Sequence, residues 1–281
     1  AVLDFQPDYI FHLAAQPLVR ASYEIPSETF EVNAIGTANL LDAIRFLDKK
    51  CNIVLITTDK VYHNNEWEYS YKESDRLGGY DPYSASKACC EIVIDSYKNS
   101  FFNTSKYDQH LKAIAVGRAG NVIGGGDWAI DRLLPDLVRS FISGVKMTVR
   151  NPASTRPWQH VLDPLNGYLM TLEAQIRGES ITSINFGPDS ESLEVSRIVE
   201  VACKTWPHET EIELERYSVM NFAEADSLQL NSNYAREHLR WGARWSQEEA
   251  VIATINWWDK VLNYGIDPSV MCNSEIDHLL K

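Results

Sequence analysis

The sequence predicts an α/β fold: a parallel sheet covered on both faces, joined to a smaller α/β lobe. Three observations predict it. Short apolar runs recur through the first half, "DYIFHLAA" (8–15), "NIVLITT" (52–58) and "KAIAVGR" (112–118). Longer stretches with apolar residues three and four apart separate them, the period of helices. The runs are apolar almost throughout rather than alternating, which marks strands buried on both faces and hence a parallel sheet.

The elements follow in order. After the first strand, Pro26 suits a first helical turn. Phe30, Ala34, Leu40, Leu41, Ile44 and Leu47 then carry a helix to about residue 49. The 52–58 strand leads into a polar loop that lasts to Pro82. A second long helix spans 83–102 and a third strand 112–118. Beyond Asn121 the rhythm breaks. "VIGGGDW" is turn-rich, 131–143 reads as a helix, and "KMTVRNPASTRPWQHV" as a strand and loop. A helix over 164–177 leads to "SINFG", a fourth strand. The alternating "EIELER" (211–216) is a further strand, and Ser246 with Glu249 forms a capping box for a closing helix. The sheet lobe is expected over 1–122 and 161–190, and the second lobe over 123–160 and 191–281. No internal repeat interrupts this order.

Composition narrows the function. The 281 residues are 44% hydrophobic and 23% charged, ordinary for a folded chain with a sizeable core. The net charge of −13 argues against non-specific nucleic-acid binding, though a few local arginines suffice for a small anion. No apolar run is long enough to cross a membrane. The opening "AVLDFQPDY" has neither a basic nor an apolar leader region. Cys51, Cys89, Cys90, Cys203 and Cys272 form no Cys-x-x-Cys pair, so free buried thiols in a reducing cytoplasm are expected. No metal site is expected.

The chemistry centres on "YSASK", Tyr83 to Lys87. With 13 tyrosines, chance alone supplies roughly half a Tyr-x-x-x-Lys match, so the surroundings must decide. Residues four apart share a helix face, so a phenol and an ammonium are presented together at a helix start. A nearby cation favours phenolate, and the helix N-terminus adds to that field, making Tyr83 a candidate base. Thr58, at the end of the preceding strand, is placed to hydrogen-bond a substrate hydroxyl. In parallel sheets the active crevice lies beyond the carboxyl ends of the strands, and here those ends carry "HLAAQ", "TTDK" and "GRAGN".

A strand ending in "TTD", followed by Tyr-x-x-x-Lys opening a helix, resembles the extended short-chain dehydrogenase/reductase family. "HLAAQ", "NAIGTANLL", "GRAGNVIGGGDW" and "RPWQHVLDPLNGYL" fit that family in the same order, over nearly the whole chain. "TTDKVY" narrows the resemblance to the sugar-nucleotide 4,6-dehydratases, and Lys60 after the Thr-Asp pair to their CDP-glucose branch. The resemblance implies a Rossmann-type sheet, bound NAD, a CDP-glucose substrate and a homodimer joined through the two long helices; the alternative readings are another sugar-nucleotide enzyme of the family, an epimerase or a TDP- or GDP-sugar 4,6-dehydratase, and a catalytically silent sugar-nucleotide-binding fragment. It implies oxidation at C4 with Tyr83 removing the O4 proton, loss of water across C5 and C6, and return of the hydride to C6. Asp59 matches the acid for the C6 hydroxyl, which requires a raised pKa. Lys60 stands where relatives place the C5 base, and serves either as that base or as a stabiliser of the enolate-like intermediate. Lys87 bridges the nicotinamide ribose. Ala14, Ala15, Gln16, Asn33 and Thr57 join Tyr83 and Lys87 as expected cofactor-side residues.

A sugar nucleotide carries a diphosphate, and guanidinium forks suit phosphate oxygens. Arg118, Arg132, Arg150 and Arg156 lie in the right region. Arg156 is favoured for the diphosphate, with Asn121 in support and Arg118 and Arg132 as further candidates. "GGG" (124–126) lacks the Lys and Ser/Thr of a phosphate loop, and reads equally as a hinge or a ligand contact. There is no glycine before Gly36, so the glycine-rich turn with which this family holds the cofactor diphosphate is not in the sequence. The expectation is of further strand–helix units ahead of Ala1, on the order of 60–80 residues. With it go weak NAD binding by this chain alone and an exposed sheet edge at 8–15.

Overall fold

The computed structural model of the protein describes residues 1–215 and 227–281. Four strands form a parallel sheet in the order β1 (Tyr9–His12), β2 (Cys51–Ile56), β3 (Lys112–Ala119) and β4 (Ser183–Phe186). β2 shows why the runs lack alternation. Ile53 and Leu55 enter one core, with Leu41 and Ile44 of α1 (Gly36–Arg45) and Ile94 of α2 (Pro82–Ser100). Val54 enters the core on the opposite face, with Tyr168, Phe186 and Trp241. Both faces of the strand are buried, so neither can be polar. β1 lies at the sheet edge, with Tyr9 and Phe11 exposed.

Two predicted elements differ in ways that matter for the site. The first long helix is interrupted: Pro26–Phe30 is followed by a π turn, Glu31–Ile35, before α1 begins. The cause sits at Asn33, which is buried. Its Oδ1 accepts from the Gln16 backbone N–H at 2.8 Å, and its Nδ2 donates to the Gln16 carbonyl at 3.1 Å and to Ser86 Oγ at 2.8 Å. Widening one turn lets an in-helix asparagine reach a neighbouring loop and helix, a device common at functional sites. The second strand ends at Ile56, two residues earlier than predicted. Thr58 instead opens a short 3-10 turn, Asp59–Val61, its hydroxyl accepting from the Lys60 N–H at 3.4 Å. A threonine hydroxyl offers the backbone a partner that competes with the ladder.

α2 begins under a cap that the sequence reading did not use. Asp81 Oδ1 accepts from the Ser84 N–H at 3.0 Å, and Ser84 Oγ accepts from the Asp81 N–H at 3.1 Å. The chain approaches this cap so closely that a Cβ on Gly79 would lie 2.1 Å from the Ser84–Ala85 backbone. Only glycine fits there.

The second lobe packs around Leu137, Ile198, Ile255 and Trp257, among others. It is built from α3 (Leu133–Ser143), α5 (Val195–Thr205) and α6 (Gln247–Tyr264), while α4 (Leu162–Ile176) covers the sheet. α6 carries the expected capping box: Ser246 Oγ accepts from the Glu249 N–H, and Glu249 Oε2 from the Ser246 N–H. Of the strand expected over 211–216, Ile212–Glu215 is formed and pairs in parallel with Met147–Arg150. Arg216 lies outside the described residues. A last helix, Pro268–Leu279, follows.

All five thiols are free, but burial holds for Cys51 and Cys90 only; Cys272 is exposed. Among the described residues no helix is long and apolar enough to cross a membrane.

Asp163 in α4 gives a stability prediction. It is buried, and its Oδ1 accepts from the Arg244 N–H at 2.7 Å, while its Oδ2 has no partner among the described residues. Burial pushes its carboxyl up to about 6, above the ordinary carboxylate range. A raised acid binds its proton more tightly when folded. Its stabilising contribution is therefore complete at low pH and lost as pH rises through about 6. The thermal midpoint should fall more steeply between about pH 4.5 and about pH 7 in the native protein than in Asp163→Asn. Equal slopes would contradict this account.

Candidate active site

The carboxyl ends of β2 and β3, the start of α2 and two segments of the second lobe surround a cavity of about 470 Å³. At its sheet end lie Thr58, Asp59, Lys60 and Tyr83. Asn121, Arg132, Arg150 and Arg156 line its other walls. The early end of β2 brings Thr58 and Asp59 off the strand, and the Asp81 cap sets Tyr83 in the first turn of α2. The two chemistries predicted from separate motifs thus meet.

Tyr83 and Asp59 are both buried, 8% and 2% exposed. The Tyr83 N–H donates to Ser22 Oγ at 3.1 Å, which fixes the helix start against the segment after β1. Burial pushes the Tyr83 phenol up to about 12; a hydrogen bond from Thr58 and the charge of Arg132 pull the other way, and Asp59 and Asp81 add to the rise. The expectation that Lys87 lowers this phenol is therefore corrected. Lys87 is itself buried and donates from Nζ to the Ile56 carbonyl at 3.2 Å, and burial lowers its own pKa. The desolvation of a phenolate outweighs a cation turned towards the end of β2.

Asp59 is shifted in the direction required of an acid. Burial raises its pKa, against the opposing effects of Lys60, the Thr58 hydroxyl and Arg156. Thr58 Oγ1 donates to Asp59 Oδ1 at 2.9 Å.

The arginines divide. Arg132 lines the cavity with Nη1 2.9 Å from Asp127 Oδ2, and Arg156 lines it with Nη1 donating to the Thr155 carbonyl at 2.9 Å. Arg118 does not reach the cavity, which corrects its reading as a phosphate contact. It is buried in β3, donating from Nε and Nη2 to the two Glu91 oxygens at 2.8 Å each, and from Nη1 to the Tyr62 hydroxyl at 2.8 Å. A bidentate carboxylate within reach in a dry interior takes the guanidinium fork. Thr57 joins the same group through Oγ1 to Glu91 at 2.6 Å, so its hydroxyl is also turned away from the cavity. Gln16 and Asn33 bond each other, and Gln16 Nε2 reaches Thr29 and the Leu18 carbonyl. These two shape the wall behind Tyr83 rather than entering the cavity. Ala14 and Ala15 follow β1 at the same end of the sheet, with Ala14 exposed.

Sequence reasoning missed Arg20, Asp127, Asp131 and Ser22. The first three line the cavity, and Ser22 seats Tyr83. The signal for Ser22 was its place just beyond "HLAAQ"; Arg20 carried none beyond its charge. Glu91 was missed because nothing in α2 marks it as the partner of an arginine 27 residues away.

Comparison with known proteins gives a consistent picture. The family model described as GDP-mannose 4,6 dehydratase matches residues 1–254. CDP-glucose 4,6-dehydratase of Salmonella typhimurium is 43% identical over 260 residues, 92% of this chain and 72% of that protein. CDP-paratose 2-epimerase of Salmonella typhi is 34% identical over 116 residues, 36% of this chain and 34% of that one. Among solved structures, MoeE5 in complex with UDP-glucose and NAD superposes with a TM-score of 0.78 at 20% identity, over 91% of this chain and 80% of that one. At that identity the likeness shows the shared fold.

Proposed function

The chain belongs to the GDP-mannose 4,6-dehydratase family of extended short-chain dehydrogenase/reductases, and from that premise we propose that it converts CDP-glucose to CDP-4-keto-6-deoxyglucose with NAD. The observation that carries the reading is the meeting, at one end of the cavity, of the buried phenol of Tyr83 and a buried carboxyl, Asp59, whose pKa burial raises. An epimerase has no use for an acid at C6. The 43% identity to a CDP-glucose enzyme supports the choice of base.

The residues present fit the nicotinamide-ribose end of NAD. Lys87 is a buried ammonium with three donors, one of them directed to the Ile56 carbonyl, so donors remain for a ribose diol. Lys87, Tyr83, Ala14, Ala15 and the Thr57 backbone would hold that end. The chemistry NAD supplies when bound is reversible hydride acceptance, so that the hydride lost from C4 is the one regained at C6. The chain's own groups move the protons. Tyr83, ionised once the cavity is filled, takes the proton from the C4 hydroxyl, which Thr58 orients. Asp59 gives its proton to the C6 hydroxyl, which leaves as water. Lys60 faces the C5 proton, either taking it or offsetting the enolate charge that its loss creates. Arg156, Arg132 and Asn121 receive the diphosphate.

The test is incubation of the full-length protein with glucose activated by CDP, TDP, GDP or UDP. Water loss from CDP-glucose is expected, with kcat/KM at least on the order of tenfold above the others. A C4 epimer without water loss, or preference for another base, overturns the assignment.

The reading also implies a cytoplasmic homodimer. Supporting it are the free thiols and the exposed Ile35 and Ile92 beside α1 and on α2. Light scattering at twice the chain mass is expected, and a monomer would exclude the dimer.

A further inference from the structure

The 124–132 loop closes one side of the cavity, and an ion pair ties it to the other lobe. Arg20 Nη1 lies 2.7 Å from Asp131 Oδ1, and both residues line the cavity. Arg20 sits on the short helix Val19–Glu24, whose Ser22 seats Tyr83. Asp131 precedes Arg132, whose charge reaches the Tyr83 phenol. Asp131 has a φ of 59°, a conformation that a non-glycine residue keeps only where its surroundings hold it. The middle of the loop is already fastened to its own lobe. Arg139 of α3 donates to the Trp128 and Ala129 carbonyls at 3.0 Å each, and lies over the Trp128 ring. At the far end of the loop Arg132 pairs with Asp127 Oδ2 at 2.9 Å, and the bond to Arg20 is the tie from this end to the other lobe.

We infer that Arg20 is a positioning residue: its bond to Asp131 straps the 124–132 loop across the cavity mouth and holds Arg132 at the Tyr83 end. The role rests on the nucleotide-sugar reading of the cavity. The two side chains are 37% and 40% exposed. An exposed pair shifts an equilibrium by no more than about fivefold and weakens with salt. Such a strap biases closure and still opens, as a cavity that admits and releases a nucleotide sugar requires.

A charge exchange in the full-length protein tests this. At low salt, Arg20→Glu should raise both backbone hydrogen exchange over 124–132 and the KM for CDP-glucose by about three- to fivefold. Arg20→Gln should do the same more weakly. Adding Asp131→Arg to Arg20→Glu should restore both quantities, and high salt should erase the differences. A residue that merely supports the fold shows neither rescue nor salt dependence. Unchanged exchange in Arg20→Glu, or a double variant no better than the single, overturns the strap. Exchange that responds while KM stays put overturns the positioning role. The exchange readout needs no substrate. A protein that shows the rescue but leaves CDP-glucose intact keeps the strap and loses the dehydratase assignment.

Discussion

Tyr83→Phe is expected to slow C4 oxidation by about a hundred- to ten-thousand-fold, the usual worth of a positioned acid–base group. The substitution removes one oxygen and leaves the ring. Tyr83 is buried in the first turn of α2, and its place there is set by backbone contacts, the Asp81 cap and the Ser22 hydroxyl. Folding should therefore survive, and because the substitution leaves Arg132, Arg156 and Asn121 on the cavity wall, KM should stay close to native. The loss belongs in kcat. The physical argument concerns solvation. The phenol stands at about 12 because burial disfavours its charged form. Oxidation must therefore run through a site that stabilises phenolate only once the cavity is filled, with Thr58 and Arg132 already opposing the rise. Single-turnover formation of NADH in the full-length protein is the measurement. A variant within about threefold of the native rate would remove Tyr83 from the mechanism.

Asp59→Asn should separate the two halves of the reaction. Asparagine has the same shape and keeps an acceptor for the Thr58 hydroxyl, now 2.9 Å from Asp59 Oδ1, but it has no proton to give. Oxidation at C4 should proceed, and loss of water should fall by about a hundred- to ten-thousand-fold. NADH should accumulate without 4-keto-6-deoxy product. The pH dependence carries a definite sign. The Asp59 pKa is raised, chiefly by burial, so the native protein holds the working, protonated form into a range where an exposed carboxyl has lost it. Elimination in the native protein should decline as pH climbs through that raised value, and the residual rate in Asp59→Asn should not follow it. Normal product formation by the variant would falsify the acid assignment.

Both predictions come from motifs that could be read without coordinates, which shows where sequence reasoning is strong. The apolar runs gave the sheet because burial on both faces leaves no place for polar side chains, as Ile53, Val54 and Leu55 show. Tyr83 and Lys87 share a face because the helical repeat brings fourth neighbours together. Asn33 was a legible candidate, but its π turn was not. The turn exists because Gln16 and Ser86 lie within reach, and that depends on how three segments pack.

The sequence by itself determined the sheet, the helix that carries the tyrosine–lysine pair, and the Thr58–Asp59–Lys60 segment at a strand end. These follow from local hydrogen bonding and from the period of apolar residues, which act over a few positions. Only the tertiary structure decided which arginines face the cavity, which way the Tyr83 phenol shifts, and that Arg20 meets Asp131. Arg118 and Arg156 look alike in sequence. One is claimed by Glu91 in a dry interior, and the other lines the cavity. Charge acts through space and its strength depends on exclusion of water, so its effect is set by partners that sequence spacing does not reveal.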